Sequence, residues 1–143
     1  KESIYKSEGR VIMGQHLIFA GPGTVMGVTN AELLCSFGAD MVMLNTIDLD
    51  NFENNPGLCG LTIKELKEKC NCPIGVYLGC PKKGEKRSDE KTLYRLAGML
   101  ATKEHILKAV ALGVDFIVLG GNPGSGTSIE DVIEATKLVK ERY

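Results

Sequence analysis

Gly121, Asn122, Gly124, Ser125, Gly126, Thr127 and Ser128 stand where an apolar strand gives way to a helix, in the run GGNPGSGTS. A glycine-rich turn at that junction aims several backbone N–H groups at one point, and the helix dipole adds positive potential. That combination suits a phosphate or a carboxylate. The spacing Gly121-x-x-x-x-Gly126-Thr127-Ser128 is that of a Walker A loop with Thr127 in the lysine position. Without that cation the β- and γ-phosphates of a nucleotide lose their main counter-charge. The pattern therefore argues against ATP or GTP hydrolysis and leaves a single phosphate or a carboxylate held by backbone N–H groups, Ser125 or Ser128. The competing reading is a tight turn capped by Thr127 or Ser128, with Glu130 and Asp131 already meeting the dipole. The glycines exceed what capping alone requires.

Three further residues fall where strands are expected to end. His16 could serve as a general base, and Asn45 is either a site residue or a turn former. Asp48, with Asp50 two positions on, resembles the Asp-x-Asp of phosphatases in which one carboxylate is a nucleophile, the other a general acid, and Mg²⁺ binds beside them. The strand ends early for that role and no downstream acidic motif follows, so a solvated loop competes with it. The two carboxylates could still hold Mg²⁺ as an oxygen-ligated metal site. His105 falls inside a helix and reads as a packing or surface residue. Lys82, Lys83, Lys86 and Arg87 form a basic loop that is either a lid over an anionic ligand or a solvated charge run.

The elements that must position these groups alternate regularly. Strands are expected at residues 10–14, 41–44, 73–78 and 116–119, each followed by a helix. Thr29 or Asn30 caps the first main helix and Gly38 closes it. Thr62 opens the second, with Glu65 completing a capping box. A short inserted helix is expected over 92–100. Thr102 caps the third main helix, which Gly113 ends, and the last runs from Thr127 or Ser128 to about Arg142. Ile129, Val132, Ile133, Thr136 and Val139 share one face of it at helical spacing. A polar segment, residues 1–7, reads as helical, and Gln15, Gly79 and Cys80 join the rim formed by the strand ends.

Two stretches echo each other. Gly38-Ala39-Asp40-Met41-Val42-Met43-Leu44 and Gly113-Val114-Asp115-Phe116-Ile117-Val118-Leu119 share Gly, a small apolar residue, Asp and four apolar residues. In each the glycine closes a helix and the strand begins at once. Repeated βα units with short apolar strands mean an α/β fold with a parallel sheet. The preferred architecture is of TIM-barrel type, with about half a barrel (four βα units) in a single α/β domain. The alternative is a small open doubly wound sheet. A half-barrel exposes two apolar strand edges, so the chain is expected to form a homo-oligomer or to be completed by further chain segments.

The net charge of −1 and pI near 6.2 argue against nucleic-acid and membrane-surface partners. No apolar run is long enough to span a bilayer, and no secretory signal opens the sequence. The five cysteines form no disulfide framework and read as reduced, hence cytosolic. Cys70-Asn71-Cys72 lacks a second pair and reads as helix-end and loop cysteines rather than a metal site.

The segments SEGRVI (7–12), VTNAEL (28–33), FGAD (37–40), GVDFI (113–117) and GNPGSG (121–126) resemble a bacterial family of (β/α)-barrel proteins. Its members are loosely labelled haloacid dehalogenase-like hydrolases or relatives of phosphoenolpyruvate phosphonomutase. The likeness covers nearly the whole chain and implies a barrel about twice the length of a half-barrel, with no established reaction to carry over. The leading expectation is an enzyme, a hydrolase or a lyase/isomerase, acting on a small anionic, phosphorylated metabolite at the C-terminal ends of the strands. A Mg²⁺-dependent phosphohydrolase using Asp48 and Asp50, and a non-catalytic ligand-binding or assembly subunit, are the alternatives.

Overall fold

Each main helix begins where a hydroxyl side chain can cap it. The computed structural model describes residues 1–81, 97–121 and 126–142. In it α1 (Glu2–Lys6) is followed by α2 (Asn30–Ser36), α3 (Ile63–Cys70), α4 (Lys103–Ala111) and α5 (Ile129–Lys140). Thr29, Thr62 and Ser128 each form a reciprocal capping box with Glu32, Glu65 and Asp131, and Thr102 accepts from the His105 N–H. Each cap satisfies helix-end donors that would otherwise lack partners. Asn71, left-handed at φ 49°, stops α3, and Gly113 at φ 79° follows α4.

Between the helices run β1 (Met13–Leu17), β2 (Met41–Asn45), β3 (Ile74–Gly79) and β4 (Phe116–Gly120), all parallel and in the spatial order β1-β2-β3-β4. The order never reverses. Doubly wound sheets reverse it and carry helices on both faces, so that alternative does not describe these strands. With right-handed crossovers a monotone order puts the helices in one layer on one face, and α2 indeed packs on β1, β2 and α3, and α5 on β4 and α4. Among the described residues no helix is long and apolar enough to cross a membrane.

The register assigns side chains to the two faces. Gly14, Val42 and Ile74 form one row, and His16, Leu44, Val76 and Ile117 another. These face the helices: a Cβ on Gly14 would meet Leu34 of α2 at 3.0 Å, and Val42, Leu44, Ile74 and Val76 are fully buried with Leu66, Ile106 and Ala135. Gln15, Met43, Gly75 and Phe116 share a row on the opposite face, where the Phe116 ring occupies the space a Gly75 side chain would need. Met13 and Leu17 on that face remain about half exposed.

β1 lies three residues later than the apolar run at 10–14 suggests. The β2 partner sets this: Asp40 holds Ile12 through its N–H (2.9 Å to the Ile12 carbonyl) and through Oδ2 (2.8 Å from the Ile12 N–H), so pairing starts at Met13 opposite Met41. Asp115 makes the same pair of bonds to Ile74 at the start of β3. The echoed Gly-x-Asp is thus a strand-pinning device. The face expected on α5 is also corrected. Ile129 and Ile133 point outward at 75% and 47% exposure, while Asp131 and Ala135 are buried and Val132, Leu138 and Val139 pack on the core. Of the inserted helix expected over 92–100, the described part is a 3₁₀ turn at Ala97–Met99.

Candidate functional site

Residues at the C-terminal ends of parallel strands, on the face away from the helices, are those a ligand can reach. On that face β3 contributes Tyr77, paired with Val118. β2 ends on the same face at Asn45, paired with Leu17 of β1. The Tyr77 hydroxyl reaches Gly120, the last residue of β4, so closely that no side chain could stand there. Gly79 pairs with Gly120 at the strand ends, and Gly121 is exposed beyond them. The ends of β3 and β4 therefore leave backbone and the Tyr77 phenol at the start of the glycine turn.

Asn45 carries a backbone irregularity with it. Thr46, next in the chain, is left-handed at φ 61°, a conformation that β-branched residues rarely adopt. Asn45 Oδ1 accepts from the Thr46 N–H at 2.7 Å, Thr46 Oγ1 donates to the Asn45 carbonyl at 2.6 Å, and Phe19 N donates to Thr46 Oγ1 at 3.2 Å. Such over-determined strain clusters at functional sites. The Asn45 amide nitrogen has no hydrogen-bond partner among the described residues.

His16 lies elsewhere. Its side chain belongs to the helix-facing row, it is 1% exposed, and among the described residues neither ring nitrogen has a hydrogen-bond partner. Gly57 in the 3₁₀ turn Pro56–Leu58 presses against it, where a Cβ would stand 2.9 Å from His16 Nε2. Burial pushes the imidazole below its ordinary pKa of 6.5. The residue read as a general base is thus buried on the helix-facing side of the sheet.

Asp48 and Asp50 likewise turn to other work. Asp48 is buried, and its Oδ1 accepts from the N–H groups of Asp50 (2.9 Å) and Asn51 (3.3 Å), an Asx-type turn pressed against Gly98. The buried Asn55 clamps the Asp48 backbone from both sides, Oδ1 to its N–H at 2.8 Å and Nδ2 to its carbonyl at 3.0 Å. Asp50 Oδ1 meets Lys108 Nζ at 2.6 Å and His105 Nε2 at 3.0 Å. The Lys108 hydrogen bond chiefly holds the Asp50 carboxyl below the usual carboxylate range, with His105 adding to it. Because His105 Nδ1 also faces an acceptor, the Leu100 carbonyl at 2.8 Å, both bonds form together only when both ring nitrogens carry hydrogen. A carboxylate in a turn and another facing two basic side chains do not make the expected Mg²⁺ pair. Among the described residues no group of three or more His, Cys, Asp or Glu could hold a metal ion.

Of the glycine turn, Asn122, Gly124 and Ser125 lie outside the described residues, as do Lys82, Lys83, Lys86 and Arg87. Gly126 is left-handed at φ 77°. Thr127 packs its methyl against Gly121 and brings Oγ1 to 3.5 Å from the Cys80 carbonyl. Ser128 is the α5 cap: its hydroxyl and its N–H both reach Asp131 Oδ2 at 2.8 Å. Of the two readings of Ser128, the helix cap is the one its hydrogen bonds make.

Sequence reasoning missed three associations. Tyr77 was hidden inside an apolar strand, although strand alternation puts it on the face opposite Val76 and Leu78. His105 meets Asp50 across 55 residues, and Cys35 meets Cys72 across 37; no local spacing announces either. No curated protein and no solved structure matches the chain. One family model spans residues 1–143, so the chain belongs to the family described as Domain of unknown function (DUF7916).

Proposed function

We propose that the chain is one half of a TIM-type barrel and that it binds a small anionic, phosphorylated metabolite on the face of the sheet away from the helices, at the C-terminal ends of the strands. The single observation that carries this reading is the approach of the Tyr77 hydroxyl to the side-chain-free Gly120, where β3 and β4 end beside the start of the glycine turn. The Tyr77 phenol and the Asn45 amide are neutral donors suited to an oxyanion, and backbone N–H groups of the turn add more. The strained Thr46 next to Asn45 supports the same place.

The monotone strand order and the half-exposed Met13 and Leu17 support the barrel. In a closed barrel that face is interior, and four further strands would come from a second copy or from more chain. Chemistry at this site would fall to groups that polarise a substrate oxygen, with Tyr77 as the proton-bearing residue. A hydrolase or a lyase/isomerase acting on a phosphorylated acid fits that set.

The test is a titration with inorganic phosphate, then with small phosphorylated carboxylic acids, followed by amide NMR. Shifts confined to Asn45, Tyr77, Gly120 and Gly121, weakened about tenfold in Tyr77→Phe, support the reading. No shift at these residues removes it. Binding without turnover across the same panel would reassign the chain as a ligand-binding subunit.

A further inference from the structure

The pole of the sheet opposite the strand ends gathers three of the five cysteines. Cys35 stands in the last turn of α2, Cys70 ends α3, and Cys72 precedes β3. The left-handed Asn71 turns the chain between the last two. Cys35 Sγ and Cys72 Sγ are 3.0 Å apart, closer than unbonded sulfurs ordinarily rest and only about 1 Å from a covalent bond. Cys72, partly exposed, also lines a cavity of ≈ 300 Å³ with Lys67, Asn71, Pro73 and Asp115.

We propose that Cys35 and Cys72 form a reversible disulfide, with a low-molecular-weight disulfide such as glutathione disulfide as oxidant, joining α2 to the segment that leads into β3. The Cys72 thiolate attacks one sulfur of the oxidant. The oxidant's S–S bond breaks, its first thiolate leaves and takes up a proton, and a mixed disulfide remains on Cys72. The Cys35 thiolate then attacks Cys72 Sγ and displaces the second thiolate. The two protein thiols lose two electrons and two protons in all, and the oxidant ends as two thiols.

Burial, more than the neighbouring thiols, pushes Cys72 up to about 12 and raises Cys70 further. Thiolate is therefore scarce near neutrality, so the exchange is slow there and quickens with pH. Cys70 is the competing partner, lying within the same cluster and buried. Cys59, exposed and ahead of α3 in the chain, serves as a control.

The experiment incubates the full chain with glutathione disulfide at alkaline pH, quenches with acid, blocks free thiols and maps the peptides. The expected product is an intramolecular Cys35–Cys72 cross-link, lost in Cys72→Ser and retained in Cys70→Ser and Cys59→Ser. It should raise the thermal midpoint by roughly 10 °C, given the loop it closes. A Cys35–Cys70 cross-link, an intermolecular cross-link, or glutathione adducts without any cross-link would each overturn the proposal. Mapping of the wild-type chain alone decides these outcomes if a variant does not fold.

Discussion

Asp115 and Ile74 hold each other by two hydrogen bonds: the Asp115 N–H donates to the Ile74 carbonyl at 2.7 Å, and the Ile74 N–H donates to Asp115 Oδ2 at 2.9 Å. The other carboxylate oxygen takes Lys67 Nζ at 2.7 Å. One side chain thus ties β4, the start of β3 and α3 together. Asp115→Ala should cost about 1–3 kcal/mol in urea unfolding, because the Ile74 N–H loses its acceptor. Asp115→Asn keeps an acceptor and should cost less. Equal losses in the two variants would show that the Lys67 contact, not the backbone bond, matters.

His16 makes stability depend on pH. Its folded-state pKa is lowered by burial while the unfolded chain titrates near 6.5. As pH falls below about 6.5 the unfolded state takes up the proton and the folded state resists it, so stability declines with falling pH through that window. His16→Leu should remove this part of the pH dependence. At pH 7 it should stay within about 1 kcal/mol of wild type, since no hydrogen bond is lost. Denaturant midpoints from pH 7.5 to 5 decide it.

Gly98 is required by the turn at Asp48. A side chain there would run into the Asp48 carboxylate and stand 2.8 Å from the Asp50 nitrogen. Gly98→Ala should destabilise by about 1–3 kcal/mol through overpacking. Adding Asp48→Gly should recover part of that loss, a coupling that thermal melts of the four-variant cycle would measure.

Ser128 separates capping from ligand binding. Ser128→Ala should lower stability by about 1 kcal/mol and leave the phosphate titration unchanged, because its hydroxyl is engaged with Asp131. A variant that keeps its stability and loses phosphate binding would return Ser128 to the site.

Much of the frame was legible locally. Thr29, Thr62, Thr102 and Ser128 cap the helices that their neighbours suggest, because capping is decided within three residues. The Gly-x-Asp echo marked two strand starts for the same reason. What hydrophobic runs could not reveal was which polar residues lie inside a strand: β1 includes Gln15 and His16, and the one-residue alternation sends the first away from the helices and the second among them. The pairing of Asp50 with His105 and Lys108 is non-local. It occupies one carboxylate of the apparent Asp48–Asp50 motif, while the other closes the turn onto the Asp50 N–H.

The unequal register of the sheet bears on how it comes apart. β1 and β2 pair from Met13↔Met41 to Leu17↔Asn45, and β3 and β4 from Gly75↔Phe116 to Gly79↔Gly120, each with its own aspartate pin. β2 and β3 pair only from Val42↔Ile74 to Leu44↔Val76. The shorter β2–β3 ladder predicts two βαβ foldons that meet at a short seam. Native-state hydrogen exchange should resolve them as two cooperative openings, with Val42 and Leu44 amides, which face the seam, exchanging before those of Val76 and Val118. A single opening shared by all four strands would show that the seam is as strong as the halves it joins.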